Sequence, residues 1–269
     1  MPNLAITFER DAPVAVAYPP LSWELRGSVE ARLLSPPDIS LWLYRISLGA
    51  GSALRWSCPH GDEGVYVLDG SLSVAGHPEG TNVTAGGALI VESGVSTEVF
   101  ASSDAQLLHF GSADSDPPVN GPYGAPSAHG HVVHAVGPGG VFAAVGDGRD
   151  TRFYADSSCP TCRITLMRTG RDAAYVSPAH SHSQDELIHL LSGEITVGRD
   201  TLGSGDTLYV QADRRYTFTG GSEGFSFLNY RRDASLHAVV RGAEPKLEGG
   251  AAHGFRHVAD SVDVSPRDG

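Results

Sequence analysis

Short runs rich in β-branched and aromatic residues recur along the chain between turn signals. The first group reads LWLYRISL, VYVLDGSLSVAG, ALIVES, TEVFAS and QLLHF; the second reads RITLMRTG, ELIHLLSGEITVG, TLYVQ, YTFTG and FSFLNYR. Long helical periodicity is nearly absent, and 33 glycines and 17 prolines cut the sequence into pieces of strand length. Many short strands at regular spacing predict an all-β sandwich or barrel.

The two groups resemble each other. EGVYVLDGSLSV, beginning at Glu63, aligns with ELIHLLSGEITV, beginning at Glu186, and GGALIVESGVSTEVFAS aligns with GDTLYVQADRRYTFTGG, so that Gly86 falls on Gly205 and Thr97 on Tyr216. The loop HPEG in the first copy accounts for the change of offset. Such self-similarity marks a tandem duplication. It divides the chain into an N-terminal arm (1–28), a first barrel (29–113), a linker and entry strand (114–148), a second barrel (149–242) and a C-terminal tail (243–269).

The second copy carries chemistry that the first lacks. In PAHSHSQDELIHLLSGEITVG, His180 and His182 share a strand face with Glu186, Ile188 and Leu190, since alternate residues of a strand point the same way. Two imidazoles and a carboxylate above an apolar interior form a ligand set suited to non-haem Fe(II), with open positions left for substrate and dioxygen. In the first copy Ser57 and Pro59 stand where the histidines would be, and Thr97 stands opposite Tyr216; of the set only Glu63 remains. His60 is one residue out of register, which turns it to the other face. The first barrel is therefore expected to be metal-free.

This pattern resembles the cupin superfamily, in its two-barrel form. The first cupin motif, His-x-His, three or four residues, Glu, six residues, Gly, is met by His180, His182, Glu186 and Gly193. Ala174 replaces the glycine that usually precedes it. The second motif starts at Gly205-Asp206, but Gln211, Asp213 and Tyr216 replace its proline, glycine and histidine. The resemblance implies two tandem antiparallel jelly-roll barrels, with the metal inside the second. Tyr216 then has three readings: a metal-bound phenolate, an acid/base or hydrogen-bonding group facing the metal, or plain packing. The second of these is preferred.

Other signals are weighed against this one. His129, His131 and His134 form another His-x-His, but without a carboxylate at cupin spacing, and read as an exposed strand with polar alternation. Cys159-Pro-Thr-Cys162 lacks the βαβ context of a thioredoxin site, and Cys58 alone does not complete a zinc knuckle. A turn before a strand is the expectation, with a reversible disulfide still open. His189 has the wrong parity for the metal and should face outward or into the contact between barrels. Gly220-Gly221-Ser222-Glu223-Gly224 fits G-x-S-x-G, but it joins two predicted strands and reads as a hairpin loop.

Composition narrows the function. The net charge is −12, which gives no electrostatic footprint for nucleic acid or an anionic membrane. Lys246 is the single lysine, which argues against Schiff-base chemistry. The N-terminal MPNLAITFERDAP has no apolar signal core, no apolar run is long enough to span a membrane, and three cysteines are few for a disulfide scaffold, so a cytoplasmic protein is expected.

The leading expectation is a mononuclear metal-dependent dioxygenase acting on a small phenolic or dicarbonyl-like substrate. It would carry one divalent transition metal per chain, Fe(II) being favoured over Mn, Ni or Zn, on His180, His182 and Glu186, with Tyr216 orienting substrate or relaying a proton. Arg163, Arg168 and Arg214 are candidates for binding a substrate anion. Rival readings are a metal-dependent isomerase, lyase or cyclase, a non-catalytic small-molecule-binding cupin, and a metal-free structural protein. Barrel edges are candidate homodimer contacts.

Overall fold

The computed structural model describes residues 3–14, 23–57, 60–75, 82–113, 133–157, 159, 162–233, 235–239, 246–247, 256–257 and 261–264. Cys58, Pro59, His129 and His131, and most of the linker and tail, lie outside the described residues.

Strands dominate and all pairings are antiparallel, as the alternating runs predict. In the first barrel one sheet joins Val133–Val136, Ala88–Val91, Glu63–Asp69, Ala105–Ser112, Leu41–Leu48 and Val29–Leu33; the facing sheet joins Trp23–Arg26, Ala53–Trp56, Thr97–Ala101, Ser71–Val74 and Asn82–Thr84. The largest sheet of the second barrel runs Thr207–Val210, Glu186–Val197, Thr219–Arg231, Thr165–Arg171, Arg149–Ala155 and Phe142–Gly146. A small sheet of Ser181–His182, Leu236–Ala238 and Lys246–Leu247 stands apart from it.

Strand parity builds three cores from one chain. On Leu41–Leu48 the even positions Trp42, Tyr44 and Ile46 fill the first barrel, while Leu41 and Leu43 face the second. On Glu186–Val197, Ile188 and Leu190 fill the second barrel, and Leu187 points back toward the first. Between the barrels Tyr66, Leu108 and Phe110 pack with Leu166, Leu187 and Tyr230. Each such fully buried side chain contributes about 1.5–3 kcal/mol, so the barrels are fused by a true core.

The chain ends are crossed. Leu4–Thr7, in the N-terminal arm, pairs with Thr207–Val210 of the second barrel, and Val133–Val136, after the linker, pairs with Ala88–Val91 of the first. One expectation is corrected: Gly220–Gly224 is no hairpin, because Thr219–Arg231 is a single strand that runs through it. Gly224, at φ +78, and the register shifts opposite Gly193 let that strand bend and continue.

Candidate metal centre

The short strand Ser181–His182 pairs with Leu236–Ala238, which sets His182 directly opposite His237. On its other side the segment meets the second barrel's loop strand, where His180 and Tyr216 exchange backbone hydrogen bonds of 3.0 and 2.9 Å. Three imidazoles thereby converge, and the ligand nitrogens of His180, His182 and His237 all lie within 4.8 Å of one another. His180 and His182 are buried, at 8% and 5% exposure, although His is usually only half buried.

Hydrogen bonds fix which nitrogens face inward. His180 Nδ1–H donates to the Pro178 carbonyl at 2.8 Å, which leaves Nε2 as the lone-pair nitrogen. His182 Nε2 lies 3.1 Å from Arg231 Nη2; a guanidinium only donates, so this nitrogen also carries a lone pair. Burial, more than any other cause, lowers the pKa of His180, and the Arg231 charge adds to this against the Pro178 bond and the Glu186 carboxylate. A neutral imidazole is the form that binds metal.

Glu186, the carboxylate of the expected ligand set, shares this floor, and its hydrogen bonds fall on one oxygen, Oε2. Its Oε2 is 3.7 Å from His182 Nε2, and it accepts bonds from Asn229 Nδ2 (2.7 Å), Arg231 Nη2 (2.8 Å) and Arg231 Nε (3.2 Å). Burial would raise its pKa, yet His182, Arg231, Tyr216 and Asn229 together bring it down to about 2. It is a fixed anion held by a buried cation.

Above the floor a cavity of about 210 Å³ rises along the ladder between Thr165–Arg171 and Thr219–Arg231. Met167 faces Asn229, Thr169 faces Phe227, and Arg171 faces Phe225, so polar groups grade into an aromatic wall. Tyr216 lines the cavity with its ring 4.4 Å from that of His180. At the far end Arg171 stacks on Tyr175 at 4.7 Å, and among the described residues no carboxylate lies within ion-pair reach of it.

The arginines expected to bind an anion do not line this cavity. Arg163 lies 3.9 Å from Asp233, Arg168 bonds Asp150 and Ser226, and Arg214 is exposed on a turn. Arg171 and Arg231 line it instead. Their signal was partly present: Arg231 ends the predicted strand FSFLNYR and Arg171 directly follows RITLMRTG, each at the parity of the inward residues. His237 was also missed, because it lies outside the segments that align between the two copies, though LHAVV has strand character.

The remaining expectations divide. His189 is buried at 2% exposure between the barrels, with Nδ1 3.0 Å from Thr207 Oγ1. His60 is buried, with its ring nitrogens 2.7 Å from the Gly61 and Val95 carbonyls. His134 is not on an exposed strand: its side chain is 13% exposed and Nε2 lies 2.7 Å from the buried Glu92. It is drawn inward because Val133–Val136 joins the first barrel's sheet rather than entering the second.

The first barrel has filled the equivalent space. Trp56 Nε1–H donates to Glu63 Oε2 at 2.6 Å, and His109 Nε2 lies 2.8 Å from the same oxygen. Where the second barrel sets Thr165 opposite Arg231, the first sets Trp42 opposite Gly111. A Cβ on Gly111 would fall 2.0 Å from Trp42 Cζ2, so the indole occupies the arginine's room. The one carboxylate retained from the motif is thus committed to hydrogen bonds inside an aromatic core.

The sequence matches no family model and no curated protein. Solved structures do resemble it. The protein YlbA from E. coli is 15% identical, with a TM-score of 0.62, over 85% of this chain and 90% of that one. A putative glyoxylate-induced protein from Pseudomonas aeruginosa is 14% identical, with a TM-score of 0.64, over 86% and 89%. A single-site variant of oxalate decarboxylase from Bacillus subtilis is 15% identical, with a TM-score of 0.61, over 87% and 79%. These likenesses extend across both barrels and concern architecture. In architecture the chain is like these proteins: two antiparallel β-barrels in tandem.

Proposed function

We propose that the protein is a metal-dependent enzyme of dioxygenase type, which holds one divalent transition metal on His180, His182 and His237 and acts on a small organic anion. The observation that carries this reading is the convergence of three imidazoles, those of His180 and His182 buried with their tautomers fixed and that of His237 half-buried, at the base of a largely apolar cavity. In this reading His237 takes the third ligand position that the motif assigned to Glu186. Imidazole ligation suits Fe(II) and also Mn, Ni and Zn. When bound, the ion supplies charge to polarise a chelating substrate and to bring dioxygen beside it.

The chain's own groups account for the rest. Three neutral ligands leave the ion's charge uncancelled, and Arg231 neutralises Glu186, so the floor favours an anionic chelating head. Phe218, Phe225 and Phe227 exclude water from the body of the ligand. Arg171 offers a guanidinium to a second anionic group at the far end. A cavity of about 210 Å³ is below the usual range for drug-sized ligands, which supports a small substrate. In this reading Tyr216, its ring beside that of His180, holds or relays a proton.

The likeness to oxalate decarboxylase supports one rival, a metal-dependent lyase that consumes no net dioxygen. Turnover of a panel of phenolic, dicarbonyl and dicarboxylate compounds by Fe(II)-loaded protein separates the two. Oxygen uptake matching substrate loss is expected. Turnover undiminished under argon, or supported equally by Zn, would contradict the dioxygenase reading.

A further inference from the structure

Two motifs that the metal centre does not use meet in space. His134 lies on Val133–Val136, within the first barrel's sheet, while Cys159 and Cys162 lie on the approach to Thr165–Arg171 of the second. Ligand atoms of His134, Cys159 and Cys162 all lie within 4.8 Å of one another, with Cys159 Sγ 4.0 Å from His134 Nε2. In the structure the two cysteines form a disulfide. We propose that, once this disulfide is reduced, His134, Cys159 and Cys162 bind a thiophilic divalent cation of the Zn²⁺ class, and that reoxidation releases it.

Two thiolates and one imidazole form a zinc donor set. Surrounding groups favour the thiolates: the Cys162 backbone N–H donates to Cys159 Sγ at 3.1 Å, and His134, paired with the buried Glu92 at 2.7 Å, stands beside the same sulfur. Cys162 is 5% exposed within the inter-barrel core, so the ligand is held on a packed element.

Both steps balance. An external dithiol gives two electrons and two protons to the S–S bond, yielding two thiols and the reductant's own disulfide. Cation binding then expels both thiol protons to solvent, and His134 releases the Nε2 proton that it shares with Glu92, so that this nitrogen presents its lone pair to the cation. A small disulfide oxidant withdraws two electrons from the thiolates, reforms the bond and frees the cation. The structural outcomes differ as well. The disulfide links residues only 3 apart and constrains its own turn, whereas the cation would tie that turn to a strand of the other barrel.

The test is titration of the full-length protein with Co²⁺ under argon, with and without prior reduction by a dithiol that is then removed. Reduced protein should bind one more Co²⁺ per chain than oxidised protein and show a near-ultraviolet thiolate-to-cobalt charge-transfer band. The His180→Ala variant should keep that band, which separates this site from the barrel centre. His134→Ala should weaken it by more than about tenfold, and Cys159→Ser with Cys162→Ser should abolish it. A wild-type reduced protein without the band overturns the proposal, as does a band that persists undiminished in either variant. If a variant does not fold, alkylation of the wild type followed by peptide mass spectrometry decides. Zn²⁺ should slow modification of Cys159 and Cys162 together, and unchanged rates overturn the proposal.

Discussion

His237 lies directly across an antiparallel ladder from His182, their rings stacked with centroids 4.9 Å apart. The third imidazole of the cluster thus comes from the short strand Leu236–Ala238, outside the segments that align between the two copies. Tyr216 occupies the position where the cupin motif places a histidine, and its ring centroid lies 4.4 Å from that of His180.

The Arg231–Glu186 pair carries a clear energetic prediction. Both side chains are 1% exposed, and removal of one partner from a buried pair costs about 3–5 kcal/mol, because the other charge is left stranded. Arg231→Met should lower stability by about that amount in urea unfolding. Adding Glu186→Leu should recover much of the loss. An Arg231→Met protein as stable as the wild type would show that the pair is solvated.

Filling the first barrel should be costly in a different way. Gly111→Ala forces a methyl against Trp42 and should cost about 1–3 kcal/mol, the range for overpacking. Metal content should not change, since the centre lies in the other barrel. A neutral effect on unfolding would mean that Trp42 can swing aside.

His189 predicts a pH dependence of stability. Burial, aided by the Arg45 charge, pushes its pKa down to about 3, while the unfolded ring titrates near about 6.5. Between those values the unfolded chain binds a proton that the folded chain refuses. This contribution to stability is therefore present above the unfolded value and lost as pH falls, by up to about 1.4 kcal/mol per unit. Urea unfolding from pH 7 to 4 should weaken less steeply in His189→Asn than in wild type. Parallel curves would contradict the assignment.

Arg171 should set preference for a second anionic group. With Co²⁺-loaded protein, dicarboxylates of suitable length should bind more tightly than monocarboxylates of equal length, by about tenfold or more, as expected for a hydrogen bond to a charged group of about 1.5–3 kcal/mol. Arg171→Gln should erase that difference and leave metal content intact. Equal discrimination in the variant would place the second anion elsewhere.

The fold was legible because its signals are local and repeated. Alternation in LWLYRISL and ELIHLLSGEITV fixes which residues face in, and the duplicated Glu63 and Glu186 align the two barrels. His180 and His182 were legible for the same reason. His237 and Arg231 were not, because their roles depend on which strands pair across the sheet. No spacing along the chain states that Leu236–Ala238 returns to Ser181–His182. Pairing of Leu4–Thr7 with Thr207–Val210 was equally hidden, since a four-residue strand carries little pattern. The meeting of His134 with Cys159 and Cys162 combines two motifs that each looked incomplete alone.

The central claim is that three histidines hold one metal in the second barrel. Elemental analysis of wild-type, His180→Ala and His237→Ala proteins, purified without added metal and with the Cys159–Cys162 disulfide intact, tests it most directly. About one transition metal per chain is expected in the wild type, with almost none in either variant. A wild type without metal, or a His237→Ala protein that retains it in full, would contradict the account.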